Sequence, residues 1–120
     1  VIGVSLRLTF DWDDISFEND KAQQGIVELK NRFPDKHIFC RVSSSGEGLH
    51  LIISDSKESI IPSQFDDEEV ISHRTDFLEM DLECGGRLRT DLRRKAVGTK
   101  WGRLFSHKDG KACGEWFYVE

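Results

Sequence analysis

Two carboxylates carry the most specific chemical signal in this chain. In the stretch Val4 to Asp14, V-S-L-R-L-T-F-D-W-D-D, apolar and polar residues alternate. Val4, Leu6, Leu8, Phe10 and Trp12 fall on one face of a strand. Ser5, Arg7, Thr9, Asp11 and Asp13 fall on the other. The apolar set must pack inward. The strand end then presents Asp11 and Asp13 from one face, roughly 6.5–7 Å apart along the backbone. Carboxylates at that spacing reach one divalent cation, or a pair of them. Asp14 points the other way and belongs to the turn. An Asp-rich strand end is also an ordinary solubilising device, so the chemistry depends on what else reaches this face.

The candidate partners come from a hairpin. In a strand over His37 to Ser43, Ile38, Cys40 and Val42 face the core while Phe39, Arg41 and Ser43 face away. Ser44-Ser45-Gly46-Glu47-Gly48 is a turn. Leu49 to Ile53 is the returning strand, with Leu49, Leu51 and Ile53 inward and His50 and Ile52 opposite. If the first and third strands are antiparallel neighbours, Asp11, Asp13 and His50 share one end of one face, capped by the serine-glycine turn.

Helices must cover the other face. Ser16 is a candidate N-cap, and Ala22, Ile26, Leu29 and Phe33 recur at helical spacing up to Phe33-Pro34. A second helix begins in the acidic run Phe65 to Glu69 and continues through Val70, Ile71, Arg74, Phe77, Leu78, Asp81 and Leu82. Gly85-Gly86 breaks it, and Leu88 and Leu92 support a short further helix ending near Gly98. Trp101 to Ser106 reads as a fourth strand, His107 to Gly110 as a turn and Glu115 to Val119 as a final strand. The order predicts an α+β fold of the ferredoxin-like or RRM-like plan. That plan is a βαββαβ antiparallel sheet with helices on one face, here with an extra C-terminal strand, as a single domain over 1–120.

The hydrophobic and charged fractions of the 120 residues, 38% and 32%, are those of a soluble globular protein. No apolar run is long enough to span a membrane, so the expectation is an intracellular protein, cytoplasmic or in the host cytoplasm if viral, with no membrane partner. Cys40, Cys84 and Cys113 are odd in number and form no C-x-x-C pair, so neither a disulfide framework nor a zinc knuckle is indicated. Cys40 reads as a small core residue. The net charge of −5 conceals an asymmetry: residues 87–111 carry nine basic against two acidic residues, a net of +7, leaving −12 elsewhere. A basic block on an acidic body points to a directed anionic partner. Arg87, Asp91, Arg94 and Lys95 also share one helix side and can pair among themselves.

F-D-W-D at Phe10 to Asp13 resembles the hDhD motif of archaeo-eukaryotic primases and the related primase-polymerases. S-S-S-G-E-G-L-H at Ser43 to His50 resembles their second motif, a serine-glycine turn followed by histidine. The resemblance covers roughly the first half of the chain. It implies Asp11 and Asp13 as metal ligands for Mg²⁺ or Mn²⁺, and Asp11, Asp13 and His50 as catalytic residues. It also implies Ser43, Ser45, Gly46, Gly48 and His50 as binders of a nucleoside triphosphate, with turn amides cradling phosphate. The family's third motif is an acidic residue on a later strand. The expected fourth strand carries none, and Asp76, Asp81 and Asp91 are the candidates. The family's cores also have a further N-terminal α/β unit. The chain therefore resembles the RRM-like half alone, of the kind found in small mobile-element or viral replication proteins, with a protein partner supplying the missing parts of the site.

The expected function is a primase-polymerase-like replication protein that binds metal, nucleotide and single-stranded or primer-template nucleic acid on the open sheet face. Arg41, Arg87, Arg89, Arg93, Arg94, Lys95, Arg103 and Lys108 would line the phosphate track, and Phe39 and Trp101 could stack bases. One alternative is a non-catalytic nucleic-acid-binding module on the same fold. Another is a rolling-circle replication endonuclease, which needs a His-x-His pair and a helical tyrosine. This chain offers His50-Leu51-Ile52 and, as its one tyrosine, Tyr118.

Overall fold

The computed structural model describes residues 6–104 and 106–120. Val4 and Ser5, at the start of the expected first strand, and Phe105, in the expected fourth, lie outside them. Among the described residues the chain forms a mixed α+β architecture of a four-stranded antiparallel sheet, two short two-stranded ribbons and three helices.

The expected first strand is two strands. β1 (Leu6–Arg7) pairs with β5 (Gln64–Phe65), and β2 (Thr9–Trp12) enters the main sheet. Between them the Leu8 N–H donates to the Ser63 carbonyl at 3.1 Å. β3 (His37–Val42) and β4 (Leu49–Ser54) form the expected hairpin, and β8 (Phe117–Val119) adds to the far edge of β3. The sheet order is β2-β4-β3-β8, so β2 and β4, the expected first and third strands, are neighbours.

Alternation places the core. Leu8, Phe10 and Trp12 from the first stretch, Ile38 and Cys40 from β3, and Leu49, Leu51 and Ile53 from β4 all point to one buried face. α1 (Asp20–Arg32) covers that face with Ala22, Ile26 and Leu29, and α2 (Asp67–Glu79) with Val70 and Phe77. Trp12 stacks on Phe77 at 5.6 Å between ring centroids, and Phe10 meets the same ring edge-on at 5.1 Å. α1 passes close to this cluster at Gly25, where a Cβ would stand 2.6 Å from a Leu82 methyl and 2.8 Å from the Trp12 ring.

Several expectations change. α1 starts four residues beyond Ser16: Asn19 is the N-cap, its side chain accepting from the Lys21 N–H at 2.9 Å. Its end at Arg32, before Pro34, is as expected. Phe65 belongs to β5, so α2 begins at Asp67. Val42 is 40% exposed rather than in the core. Gly85-Gly86 opens α3 (Gly85–Ala96), with Cys84 as N-cap. Trp101 to Leu104 form no strand: Gly102 has φ +80°, which bends the chain out of extended geometry. The expected turn at His107 to Gly110 sits in a ribbon of β6 (His107–Lys108) and β7 (Lys111–Ala112). Asp109 and Gly110 both have positive φ there, as the tight hairpin turn demands.

The edge of β2 not paired with β4 is occupied by Leu82 to Cys84. Glu83 bridges Trp12 in antiparallel sense, Asp13 N–H donates to Leu82 O at 3.3 Å, and Cys84 N–H donates to Asp11 O at 2.7 Å. No helix among the described residues is long and apolar enough to cross a membrane.

Candidate metal and nucleotide site

Asp11 and His50 are direct cross-strand partners, on the sheet face opposite α1 and α2. His50 Nε2 lies 3.7 Å from Asp11 Oδ1, and His50 Nδ1 accepts from Arg41 Nε at 3.0 Å. An Nδ1 that accepts leaves the ring proton on Nε2, facing Asp11. Burial, reinforced by the charges of Arg41 and Arg87, pushes His50 down to about 4, so the ring is neutral at physiological pH. The contribution of this neutral ring to stability is full above the ordinary histidine value of 6.5 and is lost as pH falls from there towards 4.

Asp11 is half-buried and Asp13 exposed. Burial raises the Asp11 carboxyl above its ordinary range. Arg87 pulls it back, and the charge of Asp13 raises it further. Cys84, carried beside Asp11 by the Leu82 to Cys84 bridge, completes a cluster in which the Asp11, Asp13 and Cys84 ligand atoms all lie within 4.8 Å of one another. The Cys84 thiol is itself raised by burial, against the Arg87 N–H that donates to it.

The serine-glycine turn caps this end. Ser43 N–H donates to Gly48 O at 2.9 Å, Gly46 N–H to Ser43 O at 2.9 Å, and the Ser43 and Ser45 hydroxyls meet at 3.1 Å. Gly46 adopts φ +78°. A Cβ on Gly48 would stand 2.7 Å from the Trp12 carbonyl oxygen, so the glycine lets the turn close onto the end of β2. Gly48→Ala should therefore force the turn away from Asp13 and lower stability by about 1–3 kcal/mol. A urea midpoint shift at constant slope would show it, and an unchanged midpoint would mean the turn adjusts freely.

α3 and the segment after it wall the cavity, which has a volume of about 610 Å³. Asp11, Asp13, Ser43, Ser45 and His50 line it together with Arg94, Arg103 and Lys108. A carboxylate pair and several basic side chains thus share a space of ligand size.

No family model, curated protein or solved structure matches the chain.

The remaining candidate residues divide in two. Arg89, Arg93, Lys95, Arg103 and Lys108 are exposed and Arg94 is half-buried. Arg41 and Arg87 turn inward instead. Arg41 is 8% exposed and its guanidinium sits 4.4 Å over the Trp116 ring. Arg87 donates to Thr9 Oγ1 at 2.7 Å and Gly102 O at 3.1 Å and faces Glu83 at 3.4 Å. Phe39 and Trp101, expected as open stacking platforms, are buried at 7% and 9% exposure. Tyr118 covers Phe39 with ring centroids 5.3 Å apart, and Trp101 joins the apolar core cluster.

Three residues of the site have no motif in the sequence: Arg74, Glu83 and Cys84. Arg74 is fully buried in α2, with Nε 2.6 Å from Glu83 Oε2 and Nη1 2.8 Å from Asp91 Oδ2. Glu83 also accepts from the Asp11 backbone N–H at 2.8 Å. Burial pushes the Glu83 carboxyl up to about 7 against the pull of Arg74 and Arg87. Of the candidates for a third acid, Asp76 pairs with Arg32 at 2.7 Å and Asp81 with Lys21 at 2.9 Å, whereas Asp91 lines the cavity with its carboxylate 2.8 Å from Arg74 Nη1.

Proposed function

We propose that this chain is a primase-polymerase-like replication protein whose cavity binds a divalent cation and the phosphates of a nucleotide. The observation that carries the reading is the juxtaposition of Asp11 and Asp13, next to His50 and the Ser43–Gly48 turn, with a basic wall of Arg94, Arg103 and Lys108. A bare carboxylate pair repels phosphate, and a bare basic wall does not need carboxylates. Both become useful when a metal ion sits on the acids and an anionic ligand bridges to the cations.

The donor set fits a divalent ion. Asp11 and Asp13 would hold Mg²⁺ or Mn²⁺, with Cys84 close enough to select a softer ion over Mg²⁺. When bound, such an ion neutralises phosphate charge and stabilises in-line attack of a 3′-hydroxyl on an α-phosphate. The protein's own part is to position the phosphates. Ser43 and Ser45 hydroxyls and the neutral His50 Nε2–H are donors on the sheet side, and Arg94 and Lys108 are charges on the helix and ribbon side.

The RRM-like plan supports the same reading. Leu82 to Cys84 follows α2 and lies antiparallel on the free edge of β2, the place of the fourth strand in a βαββαβ sheet. Under this assignment the acidic residue of that strand is Glu83, and α3, the β6–β7 ribbon and β8 are additions to the plan. Glu83 is engaged by Arg74 and by the Asp11 amide, which leaves two carboxylates for metal and favours weak binding without polymerase turnover. This is the observation that keeps a non-catalytic nucleic-acid-binding module as a second reading. A rolling-circle endonuclease fits poorly. Tyr118 is on β8 at the opposite sheet edge from Asp11, with its hydroxyl 2.9 Å from His37 Nδ1.

Calorimetric titration with a nucleoside triphosphate tests the proposal. Binding should require Mn²⁺ or Mg²⁺ and should disappear in Asp11→Asn with Asp13→Asn. Metal-independent binding that survives both substitutions would refute it.

A further inference from the structure

A second cavity, of about 890 Å³, adjoins the first and shares Arg103 and Leu104 with it. Its lining differs in character. Ile52, Pro62, Trp101 and Trp116 supply apolar and aromatic surface, and among the described residues five arginines and lysines border it against one acid, Asp67. A space that is aromatic inside and cationic around suits a planar group attached to a phosphate chain.

The wall between the cavities is built into the fold. The Gly102 carbonyl accepts from Thr9 Oγ1 at 3.1 Å and from Arg87 Nη2 at 3.1 Å, so the bend at Gly102 is fastened to β2 and to α3. That anchor fixes Trp101 on one side and Arg103 on the other. Trp116 is held in turn. The Arg41 guanidinium covers the ring at 4.4 Å, and Arg41 is itself tied to His50 of the first cavity. The aromatic surface of the second cavity is thus continuous, through Arg41 and His50, with the carboxylate face of the first.

We propose that the second cavity holds an unpaired base of single-stranded nucleic acid on Trp116. Lys95, Lys100 and Arg103 steer its phosphodiester towards the Asp11–Asp13 cavity. The direction of the strand rests on reading that first cavity as the nucleotide site, whereas capture of the base does not require metal. Stacking on one ring is sequence-tolerant, so the site takes a strand without choosing its bases.

Fluorescence anisotropy of a labelled short oligo(dT), in EDTA and at two salt concentrations, tests the inference on the whole chain. Oligo(dT) should bind more weakly at high salt. An abasic oligonucleotide of equal length and charge should bind at least about fivefold more weakly, the loss expected of one stacked base. Trp116→Ala should cost a similar factor and Trp116→Phe should restore most of it. If Trp116→Ala fails to fold by circular dichroism, the abasic comparison and the quenching of wild-type tryptophan fluorescence decide. Equal affinity for the two oligonucleotides, or no binding of either, overturns the proposal. Oligo(dT) binding that needs Trp116 in a protein indifferent to Mn²⁺ would refute the metal reading alone. Metal-dependent nucleotide binding in a protein that ignores Trp116 would refute this inference alone.

Discussion

Arg74→Ala should destabilise the protein by about 3–5 kcal/mol, the usual cost of breaking a buried ion pair. Arg74 is 0% exposed and bridges Glu83 and Asp91, which are themselves buried. Truncation leaves the two acids the more distant Arg87 guanidinium as counter-charge, 3.4 Å from Glu83 and 4.0 Å from Asp91, and opens a cavity where the Arg74 guanidinium stood. Arg74→Met would refill much of the volume but still strand the acids. It should recover only a small part of the loss unless Glu83→Gln is added. The effect should also reach the site, because Glu83 accepts the Asp11 backbone N–H and so holds the end of β2 in place. Urea unfolding of the single and double variants measures both terms. A loss below about 1 kcal/mol for Arg74→Ala would show that the network contributes no more than a surface pair does.

The second large effect is on metal-linked stability. Mn²⁺ at about a hundred times its dissociation constant should stabilise the wild type by about 2.7 kcal/mol. That corresponds to a Tm rise on the order of 10 °C for a domain of this size. Asp11→Asn with Asp13→Asn should abolish the rise. Without metal the double variant should be no less stable than the wild type. Burial raises the Asp11 carboxyl, and the charge of Asp13 raises it further, so the ionised Asp11 carboxylate opposes folding above the ordinary carboxylate range. Replacing it by neutral amides removes that opposition. A double variant that melts well below the metal-free wild type would assign the acids a structural role instead.

Parity made the heart of the site legible. Alternation along Val4 to Asp14 and Leu49 to Ile53 placed Asp11 and His50 on one face, and the register makes them direct partners. A buried face forces this, because a slip of one residue would turn Phe10, Trp12 and Leu51 out of the core. The bridge at Leu82 to Cys84 was not legible. Three residues are too few to show a period, and Glu83 and Cys84 matter only because α2 delivers them to the β2 edge. The expected strand at Trp101 to Ser106 is absent over Trp101 to Leu104 for a local reason, the positive φ of Gly102. The reading of Phe39 and Trp101 as open platforms failed for a distant one: Tyr118 covers Phe39, and Trp101 packs into the core. Ser16 and Asn19 are both capable caps. Phe17 packs edge-on against Phe117 at 5.0 Å, and the helix begins only after Asn19.

The acidic run Phe65 to Glu69 offers Mn²⁺ a competing surface, so the location of bound metal is the sharpest test of the account. Paramagnetic broadening by substoichiometric Mn²⁺ in an amide ¹H–¹⁵N correlation spectrum reads that location directly. Loss of signal is expected at Asp11, Asp13, Ser45, His50 and Cys84, strengthened by a nucleoside triphosphate and absent in Asp11→Asn with Asp13→Asn. Broadening confined to Asp66 to Glu69, with those five amides untouched, would contradict it.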